Sequence, residues 1–142
     1  MKVIYFAGGC FWGVQRFFDQ FDGVLETTVG YANGKTANPT YQDVKSQQSG
    51  HSETVKIVYD ESKLTLNELL KYFYMIIDPL SLNKQGEDEG ISYRTGVYYT
   101  DESELEIIQS FTAETLKNYD EQIEVEVLPL EHFYDAEGYH QK

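Results

Sequence analysis

The stretch Gly8-Gly9-Cys10-Phe11-Trp12-Gly13 constrains this chain most, because it makes a strand turn sharply into a helix. Ahead of it, Lys2-Val3-Ile4-Tyr5-Phe6-Ala7 is short, apolar and partly β-branched or aromatic, as a buried strand requires. Behind it, Phe11, Val14, Phe17, Phe18 and Phe21 recur at helical spacing, and Gly23 supplies a stop. The one cysteine of the chain is thereby set at a helix N-terminus. Unpaired N–H groups and the positive end of the helix dipole favour a thiolate there, which is the reactive form of the side chain. The one tryptophan, Trp12, falls roughly 100° round from Phe11, off the apolar stripe and nearer Arg16, Asp19 and Gln20. A lone cysteine is more often a small inert core residue. The glycine turn, the helix start and the off-stripe tryptophan reverse that expectation and predict a nucleophile with an apolar wall.

The rest of the chain follows as alternating elements. Val24 to Tyr31 reads as a second strand. Ala32 to Gly50 is a polar connection with turn signals at Asn33-Gly34, Asn38-Pro39 and Ser49-Gly50, long enough to be expected to carry function. Glu53 to Tyr59 alternates and makes a third strand. Thr65 and Glu68 form a capping box ahead of Leu66, Leu69, Leu70, Phe73, Ile76 and Ile77, and Asp78-Pro79 closes that helix. Leu80 to Ser92 is a further loop, Tyr93 to Tyr99 a strand, and Asp101 to Tyr119 a helix with a solvated acidic start. Ile123, Val125 and Val127 mark a last strand, and 130–142 carries no assignable pattern. The order is βαββαβ followed by αβ. It predicts an α+β fold, a ferredoxin-like two-layer sandwich with a mainly antiparallel sheet, formed by a single domain over residues 1–142.

Composition narrows the partners. Eleven basic against twenty-four acidic residues give a net charge of −13, which opposes binding to nucleic acid or to an anionic membrane surface. No apolar run approaches the roughly 18 residues of a membrane span. No secretory signal pattern is visible, and one cysteine allows no internal disulfide, so a cytoplasmic protein is expected. Three scattered histidines and one cysteine offer no metal site of the usual spacing, and no glycine-rich phosphate loop is present.

Several polar residues gather in loops or at strand ends: Tyr31, Gly50-His51-Ser52-Glu53, and Asp88 with Tyr93. Taken singly each has a bland reading. Glu53 is an ordinary strand-end carboxylate, Asp88 sits in a solvated acidic run, and Tyr31 and Tyr93 are two of twelve tyrosines. Together with a thiolate and an aromatic wall, an acid and two phenols select for a polar oxygen beside a small apolar group. At this point the chain resembles the A-type peptide methionine sulfoxide reductases. The resemblance rests on Gly9-Cys10-Phe11-Trp12-Gly13, Gly30-Tyr31, Pro39-Thr40-Tyr41, Gly50-His51-Ser52-Glu53, Asn83 through Tyr93-Arg94, and Tyr139-His140-Gln141, in order along nearly the whole chain.

The resemblance implies roles. Cys10 would attack the sulfoxide sulfur, and Glu53 would protonate the departing oxygen. Tyr31 and Tyr93 would hydrogen-bond that oxygen, and Asp88 would orient a tyrosine or a water. Phe11 and Trp12 would receive the methyl group. The substrate would be the S epimer of methionine sulfoxide, free or in oxidised proteins, with no cofactor. The chemistry agrees: oxide is a poor leaving group, so an acid is needed, and a glutamate serves at neutral pH only if burial or a neighbouring negative charge raises its pKa. Many relatives carry further cysteines near the C-terminus, which resolve the sulfenic acid as a disulfide. This sequence has none, so an external thiol must do so: glutathione with glutaredoxin, thioredoxin, or a small dithiol. Lys84 and Glu89 depart from the family pattern around Asp88. A monomer is expected. Two other classes compete: a cysteine hydrolase or acyl transferase with His51 as base, and a non-catalytic module that holds oxidised methionine.

Overall fold

The structure, a computed structural model, describes residues 1–117 and 119–141. Asn118, within the expected last helix, and Lys142, at the end of the unassigned tail, lie outside the described residues. The chain runs β1 (Lys2–Ala7), α1 (Phe11–Asp19), β2 (Val24–Ala32), α2 (Tyr41–Lys45), β3 (Ser52–Tyr59), α3 (Leu66–Ile76), a tiny hairpin of β4 (Lys84–Gln85) and β5 (Asp88–Glu89), β6 (Gly96–Tyr99), α4 (Ser103–Leu116), β7 (Glu126–Pro129) and β8 (Phe133–Asp135).

Six strands form one sheet in the order β7-β6-β1-β3-β2-β8. Every pairing in it is antiparallel except β6 with β7. The exception has a simple cause: α4 carries the chain from β6 back to the same end, and such a crossover returns a parallel neighbour. Alternation along β1 divides its side chains between two faces. Ile4 and Phe6 meet Phe18 of α1, Phe73 of α3 and Ile108 of α4 in the main core. Tyr5 and Ala7 join Ala32 and Tyr98 on the opposite face, which Leu130 and Phe133 cover. The Thr65–Glu68 capping box is formed as expected, each side chain meeting the other's backbone N–H.

Several elements differ from the sequence reading. The strand expected from Tyr93 begins at Gly96, with Tyr93 in a 3-10 turn, Ile91–Tyr93, and the loop expected from Leu80 to Ser92 holds the hairpin of β4 and β5. The connection after β2 contains the short helix α2, nucleated by a second capping box between Thr40 and Asp43. The last long strand starts at Glu126 rather than Ile123. The amide of Glu124 turns away to the carbonyl of Pro79, and ladder pairing begins only where Glu126 meets Thr95. The tail supplies the edge strand β8, paired with Gly30 to Ala32, and then a single 3-10 turn, Gly138–His140. The acidic start of α4 is not wholly solvated either: Glu104 is buried, and burial followed by the charge of Asp101 raises its pKa. No helix among the described residues is long and apolar enough to cross a membrane.

Candidate active site

The site is built on the turn between β1 and α1. Gly9 has φ +80, in the left-handed region that favours glycine, and a side chain there would meet Cβ of Gln85 at 2.8 Å. Gln85 is itself fixed, with its amide bonded to the backbone of Asp78 on both sides and to the hydroxyl of Thr95. The turn and the β4–β5 hairpin are thus packed directly together. Cys10 stands at the N-cap of α1, half-buried.

Glu53 lies next to it through the sheet. It sits at the start of β3, two strands away from β6, is 2% exposed, and its Oε1 accepts the backbone N–H of Phe11 at 3.2 Å. Burial pushes its pKa up to about 7; the Phe11 amide works against that rise, and the charge of Asp88 adds to it. Burial and the charge of Asp88 thus supply the lift that an acid needs at neutral pH. The thiol differs from expectation. Burial is the largest influence and raises its pKa; the amides of Trp12 and Gly13 pull it down, while Glu53 and Asp88 push it up. The helix N-terminus acts in the expected direction but is outweighed.

The aromatic wall is present. Trp12 is 49% exposed, its indole N–H donates to the carbonyl of His140 at 2.8 Å, and its ring lies 5.6 Å from that imidazole. Phe11 is 1% exposed, packed 5.9 Å from Tyr31 in the core, so it backs the wall rather than forming its open face. A groove of about 530 Å³ runs along the outer side of Trp12 between Arg16 and Tyr139.

The phenols are arranged differently from the sequence reading. Tyr93 is partly exposed beside Glu53 and Cys10, and burial, then the charge of Glu53, raise its pKa to about 12. Tyr31 is fully buried, and its hydroxyl donates to Oε1 of Glu137 at 3.0 Å. It stands in register with Glu53, yet it is closed off from solvent and its proton is committed to Glu137. The second phenol at the opening is Tyr41, at the start of α2. Burial raises its pKa first, then the charges of Glu53 and Cys10, while the Tyr93 hydroxyl directed at it works the other way. Its spacing from the other residues gave no signal; the sole hint was its place in the Pro39-Thr40-Tyr41 match. Asp88, on β5, adds its charge to Cys10, Glu53, Tyr41 and Tyr93 but hydrogen-bonds to none of them.

Two histidines resolve in opposite ways. His51 is 1% exposed with both ring nitrogens engaged: Nδ1 accepts the N–H of Gly34 at 3.1 Å, and Nε2 meets the carbonyl of Thr36 at 2.7 Å. Burial lowers its pKa, and it braces the loop after β2, so the hydrolase reading loses its base. His140 is 4% exposed and packed 4.5 Å from Tyr41, and neither ring nitrogen has a hydrogen-bond partner among the described residues. No group of histidine, cysteine and carboxylate side chains among the described residues is arranged to hold a metal.

Comparison with known proteins agrees with this chemistry. The family model described as peptide methionine sulfoxide reductase matches residues 2–142. The chain is similar to the peptide methionine sulfoxide reductase MsrA of Lachnoclostridium phytofermentans, 57% identical over 99% of this chain and 85% of that protein. Among solved structures it resembles Mxr1 from Saccharomyces cerevisiae in reduced form, with a TM-score of 0.93 and 33% identity over 99% of this chain and 82% of that one. Mxr1 in complex with Trx2 aligns at a TM-score of 0.71 and 25% identity, over 97% of this chain and 84% of that one.

Proposed function

The chain belongs to the peptide methionine sulfoxide reductase family, A type, and we propose that Cys10 is the nucleophile that relieves methionine sulfoxide of its oxygen. The observation that carries this is the Glu53 carboxyl, 2% exposed and with a pKa of about 7, tethered to the residue that follows Cys10. A carboxyl in that position is still protonated in good part at neutral pH, as an acid must be.

In the reaction, the sulfoxide oxygen accepts hydrogen bonds from Glu53 and from the Tyr41–Tyr93 pair. Cys10 Sγ attacks the sulfoxide sulfur. The thiol proton and the Glu53 proton go to the oxygen, the S–O bond breaks with its electron pair, and water leaves a bond between the two sulfurs. Water then attacks Cys10 Sγ, the sulfur–sulfur pair returns to the substrate as methionine, and Glu53 regains its proton. The substrate sulfur is reduced by two electrons and Cys10 is oxidised to its sulfenic acid. An external thiol forms a mixed disulfide with Cys10 and releases water; a second thiol frees Cys10. A thioredoxin-class dithiol is the first choice of reductant, with glutathione and glutaredoxin or a small dithiol as the others. The chemistry proposed calls on no cofactor.

The exposed face of Trp12, backed by Phe11, takes the methyl group. Apolar contact with one methyl contributes about 1 kcal/mol. Selection of the S epimer therefore rests mainly on the fixed angle between that wall and the oxygen-binding donors. Asp88 acts by its charge, keeping Glu53 protonated. The sheet order and the βαββαβ succession support a ferredoxin-like description of a single catalytic domain, and the chain is read as a cytoplasmic monomer acting on free methionine sulfoxide and oxidised proteins.

The test is incubation with separated sulfoxide epimers and dithiothreitol, comparing wild type with Cys10→Ser. Methionine is expected from the S epimer alone and none from the variant. Turnover of the R epimer alone, or full activity of the serine variant, would overturn the reading. A binding module would release no methionine at all.

A further inference from the structure

We propose that Glu137 is a positioning residue for the reaction: its single carboxylate fixes the spacing between the strand that bears the acid and the phenol at the mouth of the site. The inference rests on the role given above to Tyr41. Oε1 of Glu137 accepts the hydroxyl of Tyr31 at 3.0 Å, and Oε2 accepts the backbone N–H of Tyr41 at 3.0 Å. Tyr31 is fully buried on β2 and stands directly opposite Glu53 in the ladder with β3. Tyr41 is the first residue of α2, where a backbone N–H has no intrahelical partner. One side chain therefore joins the sheet position beside Glu53 to the start of the helix that carries the Tyr41 ring.

The carboxylate is itself held. The amide N–H of Ala136 donates to the carbonyl of Val29 at 2.9 Å. Gln141 closes the far end, accepting the Val29 N–H at 2.9 Å and donating to its carbonyl at 2.8 Å. Glu137 thus sits on a short segment pinned to β2 on both sides. The hydroxyl of Tyr139 adds a longer contact to Oε2 at 3.4 Å. The two short bonds have an ionised acceptor, which strengthens them and makes them costly to replace with a neutral amide. Burial raises the Glu137 pKa, but the backbone N–H groups of Tyr41 and of Glu137 itself, with the Tyr31 hydroxyl and His140 after them, outweigh it, and the carboxyl is held below its ordinary range. Neither Tyr31 nor Glu137 touches the sulfoxide; each acts through Tyr41.

The test is a double-mutant cycle on single-turnover methionine release, measured without reductant, using Glu137→Gln, Tyr41→Phe and the pair, with substrate Kd measured on each. Glu137→Gln keeps the side-chain volume but not the charge: its amide oxygen can still accept the Tyr41 N–H, while its NH2 can only donate, so the Tyr31 hydroxyl loses its acceptor and must turn round. The substitution is expected to slow release about tenfold with Kd unchanged, since small misplacement of a reacting group is costly. In the Tyr41→Phe background the same change is expected to cost less than about twofold, because coupled residues do not add. Glu137→Ala is expected to be slower than Glu137→Gln, and thermal melting identifies any variant that fails to fold. Multiplying effects in the pair, or an unaltered rate in Glu137→Gln, would overturn the role of Glu137 alone. A wild-type rate in Tyr41→Phe would remove the reading of Tyr41 on which it stands.

Discussion

At the scale of single residues, the site rests on two groups whose pKa values are both raised. Glu53 is lifted to about 7 by burial first, and Cys10 is lifted by burial against the pull of the Trp12 amide, with the charge of Glu53 adding to the rise. Both therefore hold their protons at neutral pH more than free side chains do. The single-turnover rate is expected to fall as pH rises through about 7, as Glu53 loses its proton. Glu53→Gln should lower the rate by roughly 100-fold or more and erase that limb, measured as methionine release against pH. The same substitution removes a negative charge beside the thiol, so the midpoint of Cys10 alkylation by iodoacetamide should move to lower pH. Stability follows the same group with a definite sign. The folded carboxyl binds its proton more tightly than the unfolded one, so its contribution is present below the unfolded value and is lost as pH rises through the folded value. Glu53→Gln should therefore gain on wild type at pH 8 relative to pH 4, by roughly 2–3 kcal/mol in denaturant titrations. That Cys10 and Glu53 would lie close together was legible in the sequence because each sits at the edge of a strongly patterned element, whereas Tyr93 lies in a 3-10 turn ahead of β6 and was placed by the family resemblance. The place of Tyr41 was not legible, since its helix spans five residues, and the bond of Tyr31 to Glu137 was not, because register with Glu53 does not tell whether a hydroxyl is free.

At the scale of elements, the β1–α1 turn is where local sequence and site geometry meet, and its glycines separate two uses of a missing side chain. Gly9 has a left-handed φ of +80 and a Cβ there would press on Gln85 at 2.8 Å. Gly9→Ala should destabilise the protein by about 1–3 kcal/mol and disturb the hairpin that carries Asp88. Gly13 lies inside α1, and a methyl group added there would meet nothing within 4 Å, so no packing requires the glycine. Gly13→Ala should stabilise the protein by about 0.5–1 kcal/mol through helix propensity. If the open space serves the substrate, Gly13→Ala binds methionine sulfoxide more weakly while melting higher, and the two measurements together separate space kept for a ligand from space left by chance. The helices declared by a capping box and an apolar stripe were readable because the signal is local: Thr65 and Glu68 are three residues apart. The strand β8 and the turn at Gly138–His140 were not readable. What holds them is non-local pairing of Phe133 to Asp135 with β2 and of Gln141 with Val29, more than a hundred positions away.

At the scale of the whole molecule, the chain brings five separate segments to one opening: the β1–α1 turn, the start of α2, the start of β3, the β4–β5 hairpin with Tyr93, and the tail with Glu137 and His140. The antiparallel sheet makes this possible because β1 and β3 run side by side in opposite directions, so the end of β1 lies against the start of β3; Ala7 faces Thr54, one residue from Glu53. The order of helices and strands was therefore enough to bring Cys10 and Glu53 together, whereas the phenols and the histidine required the loops and tail that no periodicity describes. A single cysteine sets a limit on what this assembly does unaided. With no second cysteine thiol in this sequence to attack a sulfenic acid, the proposed cycle leaves Cys10 oxidised after one turnover until an outside thiol arrives. Mixing the protein with excess S-epimer substrate and no reductant should release one methionine per chain in a burst and then stop. Adding dimedone after the burst should mark Cys10, and adding dithiothreitol should restart release. A burst well above one equivalent per chain would require a source of electrons other than Cys10, and a burst that leaves the thiol count unchanged would remove the sulfenic acid from the cycle.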